Sequence, residues 1–314
     1  MYATVRHNGR RNRSFSPPVK SLRRVRHIDV FAGVGVVIYI HIDAKADDTI
    51  RFFDYTSCCT KSKVIQSSVF KSAWGSYSLI ECELFLLKQA TENRKYDYYH
   101  LISGMDLPLK NQLEIHQFFK KNNGKQFVHF SGKNSENEYQ IKRRVKYYWA
   151  TSYYNFFSFI DFRIVRRIDY FQIRLQELLH IDRLKDNNLV FYHGSQWFSI
   201  TDELARDLLK EKDYIERIYK NTNCCDELFI QTFIANNDKW FSRLYDLKMD
   251  DDYRSNVRKI DWSRGGPYVW TKKDFNELID SDCMFARKFD EKVDPKIIEL
   301  LYERILLKGN NCEK

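Results

Sequence analysis

The acidic pair Asp226-Glu227 is the clearest candidate for proton-transfer chemistry in this chain of 314 residues. It follows a polar loop and begins a segment, 226 to 234, whose pattern predicts a helix. A helix N-terminus stabilises negative charge, so Glu227 could act as a general base that accepts the proton of a hydroxyl group. Asp226 is predicted to be the N-cap of this helix, and in the alternative interpretation both acids serve only as caps.

A basic pair, Arg287-Lys288, lies between Phe285 and Phe289. The aromatic residues would bury the stems of the two basic side chains and hold their charged ends in place. Fixed cations of this kind can stabilise negative charge on a ligand, although a solvated basic pair is the alternative. Arg264 precedes a Gly-Gly-Pro turn, which allows the backbone to approach a ligand closely.

Polar residues follow two runs whose composition is typical of strands. Asp43 comes directly after the apolar run 28 to 42, and a turn that starts at Ser103 follows a second such run. Asp43 could accept a hydrogen bond from a ligand, or it could simply cap a turn. We expect Gly104 to supply an unusual backbone angle and Asp106 to brace the turn by hydrogen bonds.

Strand-like runs alternate with segments of helical period along the chain. Strands are predicted over 28–42, 64–70, 98–102, 126–130 and 197–200, and helices over 77–90, 113–121, 141–180, 226–234 and 295–307, with a further helix capped by Thr201. This alternation predicts an α/β fold with a mostly parallel central sheet flanked by helices. Ligands bind at the C-terminal strand ends of such sheets, where Asp43, Ser103 and Glu227 are expected.

The distribution of charge argues against a nucleic-acid partner. The formal net charge is +10, but residues 1 to 27 carry eight basic residues and no acidic one, so the rest is nearly neutral. A nucleic-acid-binding domain would carry a basic surface in its folded part. We predict a basic, disordered tail over 1–27 and a single domain over 28–314.

Neither the cysteines nor the histidines have the spacing of metal ligands. The seven cysteines form no CxxC motif, which argues against a zinc site, and we expect reduced thiols in a cytoplasmic protein. The acidic triplet at 250–252 follows no apolar strand, so it is interpreted as a solvated turn. The chain contains no run of 18 apolar residues, so the sequence predicts no membrane-spanning helix. The N-terminal residues show no signal-peptide pattern.

Seven short motifs follow one another along the chain. They are Ile40-His-Ile-Asp43-Ala-Lys45, Ser72-Ala-Trp74-Gly-Ser-Tyr-Ser78, Ser103-Gly-Met-Asp-Leu-Pro-Leu-Lys110, Gly194-Ser-Gln-Trp-Phe198, Asp226-Glu227, Ile260-Asp-Trp262 and Phe285-Ala-Arg-Lys-Phe289. Together they resemble the core-2/I-branching family of glycosyltransferases, which includes the peptide O-xylosyltransferases. The resemblance spans about residues 36 to 305. It implies a GT-A-like fold, inversion at the anomeric centre and catalysis without a metal ion.

The resemblance also implies a role for each candidate residue. Glu227 would be the general base that activates the acceptor hydroxyl. The donor-binding residues would be Asp43, Ser72, Ala73, Trp74, Gln196, Trp197, Arg264, Arg287 and Lys288, and the residues supporting the site loops would be Ser103, Gly104, Asp106 and Asp226. The three basic residues would neutralise the UDP leaving group in place of a metal. Trp74 could offer a stacking face to a sugar, or it could be a core residue instead.

The expected substrates follow from the same resemblance. They are a UDP-sugar donor carrying GlcNAc or xylose and a glycan or lipid-linked glycan acceptor, with no cofactor. The xylosyltransferases carry Asp where this chain has Gln196. The aromatic and basic segment 141–180 could pack on the core, or form a peripheral membrane face or a platform for the acceptor.

The N-terminal region departs from the family pattern. Family members begin with a strand and a helix before the Ile-His-Ile-Asp strand, and residues 1–35 contain no recognisable equivalent. We therefore predict that this first strand and helix are missing or altered. The alternative function is a catalytically inactive module, derived from such an enzyme, that binds a nucleotide or a glycan.

Overall fold

A computed structural model describes residues 2–5, 30–33, 35–46, 62–132, 135–150, 162–185, 187–247 and 254–310. Its strands are β1 (Tyr2–Val5), β2 (Val37–Ile42), β3 (Lys63–Ser67), β4 (Tyr98–Ser103), β5 (Asp106–Pro108), β6 (Phe127–Val128), β7 (Phe198–Thr201), β8 (Arg258–Ile260) and β9 (Phe285–Arg287). Its helices are α1 (Ser78–Asn93), α2 (Gln112–Lys121), α3 (Ser135–Lys146), α4 (Phe162–Leu178), α5 (Asp202–Lys210), α6 (Lys212–Tyr219), α7 (Phe229–Ala235), α8 (Asp238–Phe241), α9 (Phe275–Ile279) and α10 (Pro295–Asn310). The mixture of strands and helices confirms the predicted α/β class.

The chain falls into two compact units. Unit 1 is drawn from Met1–Val69, His100–Gly124 and Asp251–Lys314, and unit 2 from Phe70–Tyr99 and Lys125–Asp250. Segments of the two units alternate along the chain, within the range 28–314 for which the sequence predicted a single domain. That single domain stays a prediction.

Unit 1 contains parallel strands in the order β3-β2-β1-β4. Thr4 of β1 is the register partner of His41 on one side and of Ser103 on the other. Strand β3 pairs with the outer side of β2. Because these strands run in the same direction, the C-terminal ends of β1, β2 and β4 lie at one edge of the sheet.

Strand β1 contradicts the prediction of a disordered tail at residues 2–5. The sequence Tyr-Ala-Thr-Val suits a strand, but a four-residue run beside a basic segment is too short to give a clear pattern. Its backbone partners come from β2 and β4, which are distant in the sequence. A strand therefore does precede β2. Of the two predicted alternatives, a missing or an altered first strand and helix, the altered one stays a prediction. Residues 6–29 lie outside the described residues.

A second sheet of unit 1 has the order β5-β9-β8. Strand β5 is antiparallel to β9, and β8 is parallel to β9. His100 of β4 lies between the rings of Phe119 and Phe285, at 4.5 and 5.6 Å between centroids. Burial lowers the pKa of His100 well below its usual value, so this histidine is a neutral core residue.

Unit 2 pairs β6 antiparallel with β7, and α1 packs against α5. The hydroxyl of Thr201 accepts the N–H of Leu204 at the start of α5, which confirms the predicted N-cap. The predicted helix over 141–180 is interrupted, because α3 ends at Lys146 and residues 147–149 are not helical. Residues 151–161 lie outside the described part of the chain.

Candidate active site

Glu227 is the last residue of a 3₁₀ turn, Cys225–Glu227. Backbone hydrogen bonds from two other segments of unit 2 hold this turn in place. Cys224 has a left-handed backbone (φ 49°) and donates its N–H to the carbonyl of Gly75 at 2.9 Å. Gly194 donates its N–H to the carbonyl of Glu227 at 2.9 Å. A Cβ at position 194 would lie 1.9 Å from the backbone oxygen of His129, so the close approach of Gly194 to His129 requires glycine.

This turn differs from the helix predicted over 226–234. Helix α7 begins at Phe229, with Leu228 at the N-cap position and no side-chain cap. Asp226 is buried within the 3₁₀ turn, so its predicted N-cap role is wrong. Glu227 precedes α7 rather than lying in its first turn, and neighbouring side chains are what hold its carboxylate.

His193 is the first of these neighbours. Its Nε2 lies 3.2 Å from Glu227 Oε2, and its Nδ1 lies 2.9 Å from the hydroxyl oxygen of Ser131. An ionised carboxylate has no hydrogen to donate, so Nε2 carries a proton and donates to Glu227. The Ser131 hydroxyl binds the other ring nitrogen, which fixes the orientation of the imidazole.

Arg144 of α3 contacts the same carboxylate oxygen, with its Nη1 3.0 Å from Glu227 Oε2. The indole N–H of Trp149 donates to the carbonyl of Arg144 at 2.9 Å. No hydrogen bond reaches Glu227 Oε1 from any residue that the structure describes, and this side chain is 39% exposed. One oxygen is thus held by two donors while the other remains accessible to a ligand.

The pKa of the Glu227 carboxyl lies below its usual value. Burial alone raises this pKa, but the hydrogen bond and charge of His193 and the charge of Arg144 outweigh that effect. Glu227 is therefore ionised at neutral pH and able to accept a proton. The adjacent thiols are poor nucleophiles, because burial raises the pKa of Cys224 to about 12 and that of Cys225 well above its usual value.

The contact at Gly75 brings the predicted loop Ser72, Ala73 and Trp74 to the Glu227 turn. The N–H of Ala73 donates to the hydroxyl of Ser78 at 2.9 Å, which attaches the loop to the start of α1. Trp74 is 57% exposed, so it is not a core residue. Its exposed ring surface has the character that stacking on a sugar requires.

Gln196 and Trp197 follow Gly194, whose backbone contacts Glu227. Gln196 is half-buried, and its amide nitrogen lies 3.5 Å from a carboxylate oxygen of Glu83. Trp197 is buried in the core of unit 2. Both predicted residues are therefore close in the chain to Gly194, which contacts the Glu227 turn, and Trp197 has a packing role.

In unit 1, Asp43 and Ser103 lie at the C-terminal ends of β2 and β4, as predicted. These strands flank β1, so their C-terminal ends share one sheet edge and lie about 10 Å apart across it. Thr4 pairs with both His41 and Ser103, so Asp43 lies two residues beyond the level of Ser103. Asp43 is buried, and its Oδ1 accepts the N–H of Lys45 at 2.9 Å. That bond is the turn-capping role that was the alternative for Asp43.

Asp106 braces the turn after β4, which confirms its predicted role. Its Oδ2 accepts the N–H of Ser103 at 2.6 Å, and its Oδ1 accepts a bond from Arg287 at 2.8 Å. Among the described glycines, positive φ angles occur at Gly35, Gly75 and Gly124. The unusual backbone angle that was predicted for Gly104 is therefore not observed.

Arg287 is fixed in place and only 17% exposed. Its Nη1 contacts the hydroxyl of Ser103 as well as Asp106. The flanking residues Phe285 and Phe289 are buried, as the sequence predicted. Arg287 therefore forms part of a rigid polar cluster at the unit 1 sheet edge.

Lys288 has a different environment from its neighbour. Its carbonyl accepts the N–H of Trp270 at 3.0 Å. Its ammonium group makes no hydrogen bond or ion pair within the described ranges. Lys288 is therefore the member of the basic pair whose charge is available to an anionic ligand.

Arg264 lies among acidic side chains. Its guanidinium pairs with Asp261, with Asp274 at 2.8 Å and with Glu277 at 3.2 Å. The hydrogen bond to Asp261 is the main cause that raises the pKa of Arg264 above its usual value. Because these carboxylates already neutralise the charge, the structure does not support the predicted contact of Arg264 with a diphosphate.

Sequence reasoning missed His193 and Arg144. His193 directly precedes the Gly194-Ser-Gln-Trp-Phe motif, and that adjacency could have identified it. Arg144 gave no such signal, because it is one of several basic residues in an aromatic segment. Among the residues described, no cluster of three His, Cys, Asp or Glu side chains could hold a metal ion. The acidic triplet at 250–252 lies outside them.

A family model described as core-2/I-branching enzyme matches residues 36–282. Xylosyltransferase sqv-6 of Caenorhabditis elegans is 26% identical, over 93% of this chain and 35% of that protein. Xylosyltransferase 2 of Rattus norvegicus is 23% identical, over 84% of this chain and 30% of that protein.

A relative with another named activity also matches. The beta-1,3-galactosyl-O-glycosyl-glycoprotein beta-1,6-N-acetylglucosaminyltransferase 3 of Homo sapiens is 22% identical, over 86% of this chain and 62% of that protein. The chain thus spans about a third of the length of the two xylosyltransferases and less than two thirds of this one.

Proposed function

Because the chain belongs to the core-2/I-branching enzyme family, as its motifs predicted, we propose that it is a glycosyltransferase with a GT-A-like fold. It transfers GlcNAc or xylose from a UDP-sugar to a hydroxyl group of a glycan or lipid-linked glycan. The reaction inverts the anomeric centre and uses no metal ion. The named activities of its relatives support the two sugars. The carboxylate of Glu227, held on one oxygen and accessible on the other, is the observation that supports the chemistry most.

In the proposed reaction, the acceptor hydroxyl oxygen attacks the anomeric carbon from the face opposite UDP. The hydroxyl proton passes to Glu227 Oε1, the oxygen that no described residue occupies. The bond between the anomeric carbon and the β-phosphate oxygen breaks, and its electron pair remains on the phosphate. Arg144 and His193 keep the base ionised before the transfer.

The proposal also assigns residues to the leaving group. Lys288 offers an ammonium group that has no described partner. Asp106 holds the guanidinium of Arg287 in place, so that this side chain need not move when negative charge develops on the β-phosphate. Asp43 lies at the same sheet edge as Ser103 and would contact the uridine. Arg264 is left out of this group because three carboxylates already pair with it.

The first test is UDP release from a panel of UDP-GlcNAc, UDP-xylose, UDP-glucose and UDP-galactose. We expect the full chain to release UDP from one of the first two. Excess EDTA should change the rate by less than about twofold, because protein cations replace the metal. A strict requirement for Mn²⁺ would contradict the role of Lys288 and Arg287. Binding of UDP without any turnover would support the inactive binding module instead.

Replacing His193 with Ala should shift the acid limb of the kcat/KM profile to higher pH. The depressed pKa of Glu227 keeps the base active down to low pH, and loss of the His193 donor raises that pKa. The rate at neutral pH should fall about tenfold through lost orientation of the base. His193→Gln keeps an amide donor and should restore part of both effects. A purely structural role would lower the rate without moving the limb.

A further inference from the structure

Helix α4 has an exposed apolar face, which we call the α4 stripe. It consists of Ile164, Ile168, Phe171, Leu175 and Leu178, each between 45% and 75% exposed. The alternating spacing of four and three residues places all five side chains on one side of the helix. Contiguous apolar surface of this kind marks an interaction site on a water-soluble domain.

The face that packs within unit 2 is a different one. Val165, Asp169, Ile173 and Gln176 are buried. The Gln176 side chain accepts the N–H of Tyr148 and donates to the Tyr148 carbonyl, both at 2.9 Å. These contacts hold the helix in place, so the α4 stripe is not needed to pack it.

Arginine side chains border one side of the α4 stripe. Arg163, Arg167 and Arg174 are exposed and lie on one side of the helix. Arg167 follows Arg163 by one turn, and Arg174 follows Arg167 by two turns. Arg174 pairs with Glu177 at 3.1 Å, whereas Arg167 has no ion pair with any described residue. The other acidic residue of the helix, Asp169, is on the buried face. The exposed surface around the stripe is therefore apolar and positively charged.

We propose that the α4 stripe binds the surface of an anionic lipid bilayer, with α4 parallel to the membrane plane. Apolar side chains of such a helix enter the boundary between headgroups and acyl chains, and arginines beside them bind lipid phosphates. Within the described ranges, no helix has the length and hydropathy needed to cross a bilayer. This inference does not depend on the proposed transfer reaction.

A second copy of the chain fits the α4 stripe less well. In a heptad scheme, Ile168 and Leu175 occupy a positions, so Arg167 and Arg174 fall at g. An antiparallel pair would place these arginines against each other. A parallel pair would place Arg167 opposite Gln172. Neither arrangement places a negative charge beside the arginines of α4, whereas an anionic lipid surface does. The charges therefore favour binding to lipid over binding to a second copy.

Vesicle co-sedimentation tests this inference with the full chain. We expect it to pellet with phosphatidylcholine vesicles that contain about 30% phosphatidylserine, and less with phosphatidylcholine alone. The double variant Phe171→Glu, Leu175→Glu should weaken binding by about tenfold or more. The matched control is Leu113→Glu, Val293→Glu, which adds the same charges at two exposed apolar positions elsewhere. It should bind like the unmodified chain.

Melting curves of both double variants establish that they fold, since the four positions are exposed. The inference is overturned if the unmodified chain does not pellet with anionic vesicles, or if both double variants bind equally. Light scattering measures whether the chain forms a dimer in solution. A dimer that the Phe171→Glu, Leu175→Glu variant dissociates would show that a second copy covers the stripe, and that too would overturn the lipid proposal.

Discussion

Replacing Glu227 with Gln should lower kcat by about 10³-fold while leaving the fold and UDP-sugar binding unchanged. The amide has the size of the carboxylate, and its oxygen can still accept the bonds from Arg144 and His193. It cannot take a proton from the acceptor hydroxyl at neutral pH. Initial rates of UDP release, together with calorimetric titration of UDP, measure the two effects separately.

The matched control for this change is Glu211→Gln, which neutralises an exposed carboxylate after α5. It should leave the rate within about twofold of the unmodified chain, because exposed charges contribute little. Transfer by Glu227→Gln at the unmodified rate would contradict the assignment of the base. If neither protein turns over while both bind UDP, the inactive binding module becomes the better description.

Replacing Asp106 with Ala should lower the free energy of unfolding by about 3 kcal/mol. The change leaves the mostly buried guanidinium of Arg287 without its described acidic partner and removes the acceptor for the N–H of Ser103. Breaking one member of a buried pair costs more than the pair itself contributes. Urea unfolding, followed by fluorescence, measures the change through the shift of the midpoint.

Two further variants make the Asp106 result interpretable. Glu216→Ala removes an exposed partner of Lys220 and should cost less than about 1 kcal/mol. The double variant Asp106→Ala, Arg287→Leu should recover part of the lost stability, because the mostly buried guanidinium that Asp106 pairs with is removed as well. If Asp106→Ala and Glu216→Ala lower the free energy of unfolding equally, the Asp106–Arg287 pair contributes no more to stability than an exposed ion pair does.

Local patterns in the sequence were enough for several elements and for part of the site. The helical period over 77–90 corresponds to α1, and the apolar run over 98–102 corresponds to β4. Thr201 caps α5 as predicted, since capping depends on residues three positions apart. Asp106 braces its own turn for the same reason, because Ser103 is only three residues away.

Contacts between distant parts of the chain were not predictable in this way. Strand β1 has four residues, and its parallel partners are supplied by β2 and β4. The two side chains that donate to Glu227, Arg144 and His193, come from other segments of the chain. The acidic side chains that surround Arg264 lie up to 13 residues away from it. Such pairings leave no periodic signal in the chain.

The sequence by itself determined the family, the α/β class and the identity of Glu227 and Arg287 as candidates. Only the tertiary structure decided that His193 and Arg144 hold one oxygen of Glu227, that Arg264 is already neutralised, and that α4 exposes a second apolar face. The physical reason is that residue type and short-range spacing set what a side chain can do. The neighbours brought to it by folding set its charge, its exposure and its free hydrogen-bonding atoms.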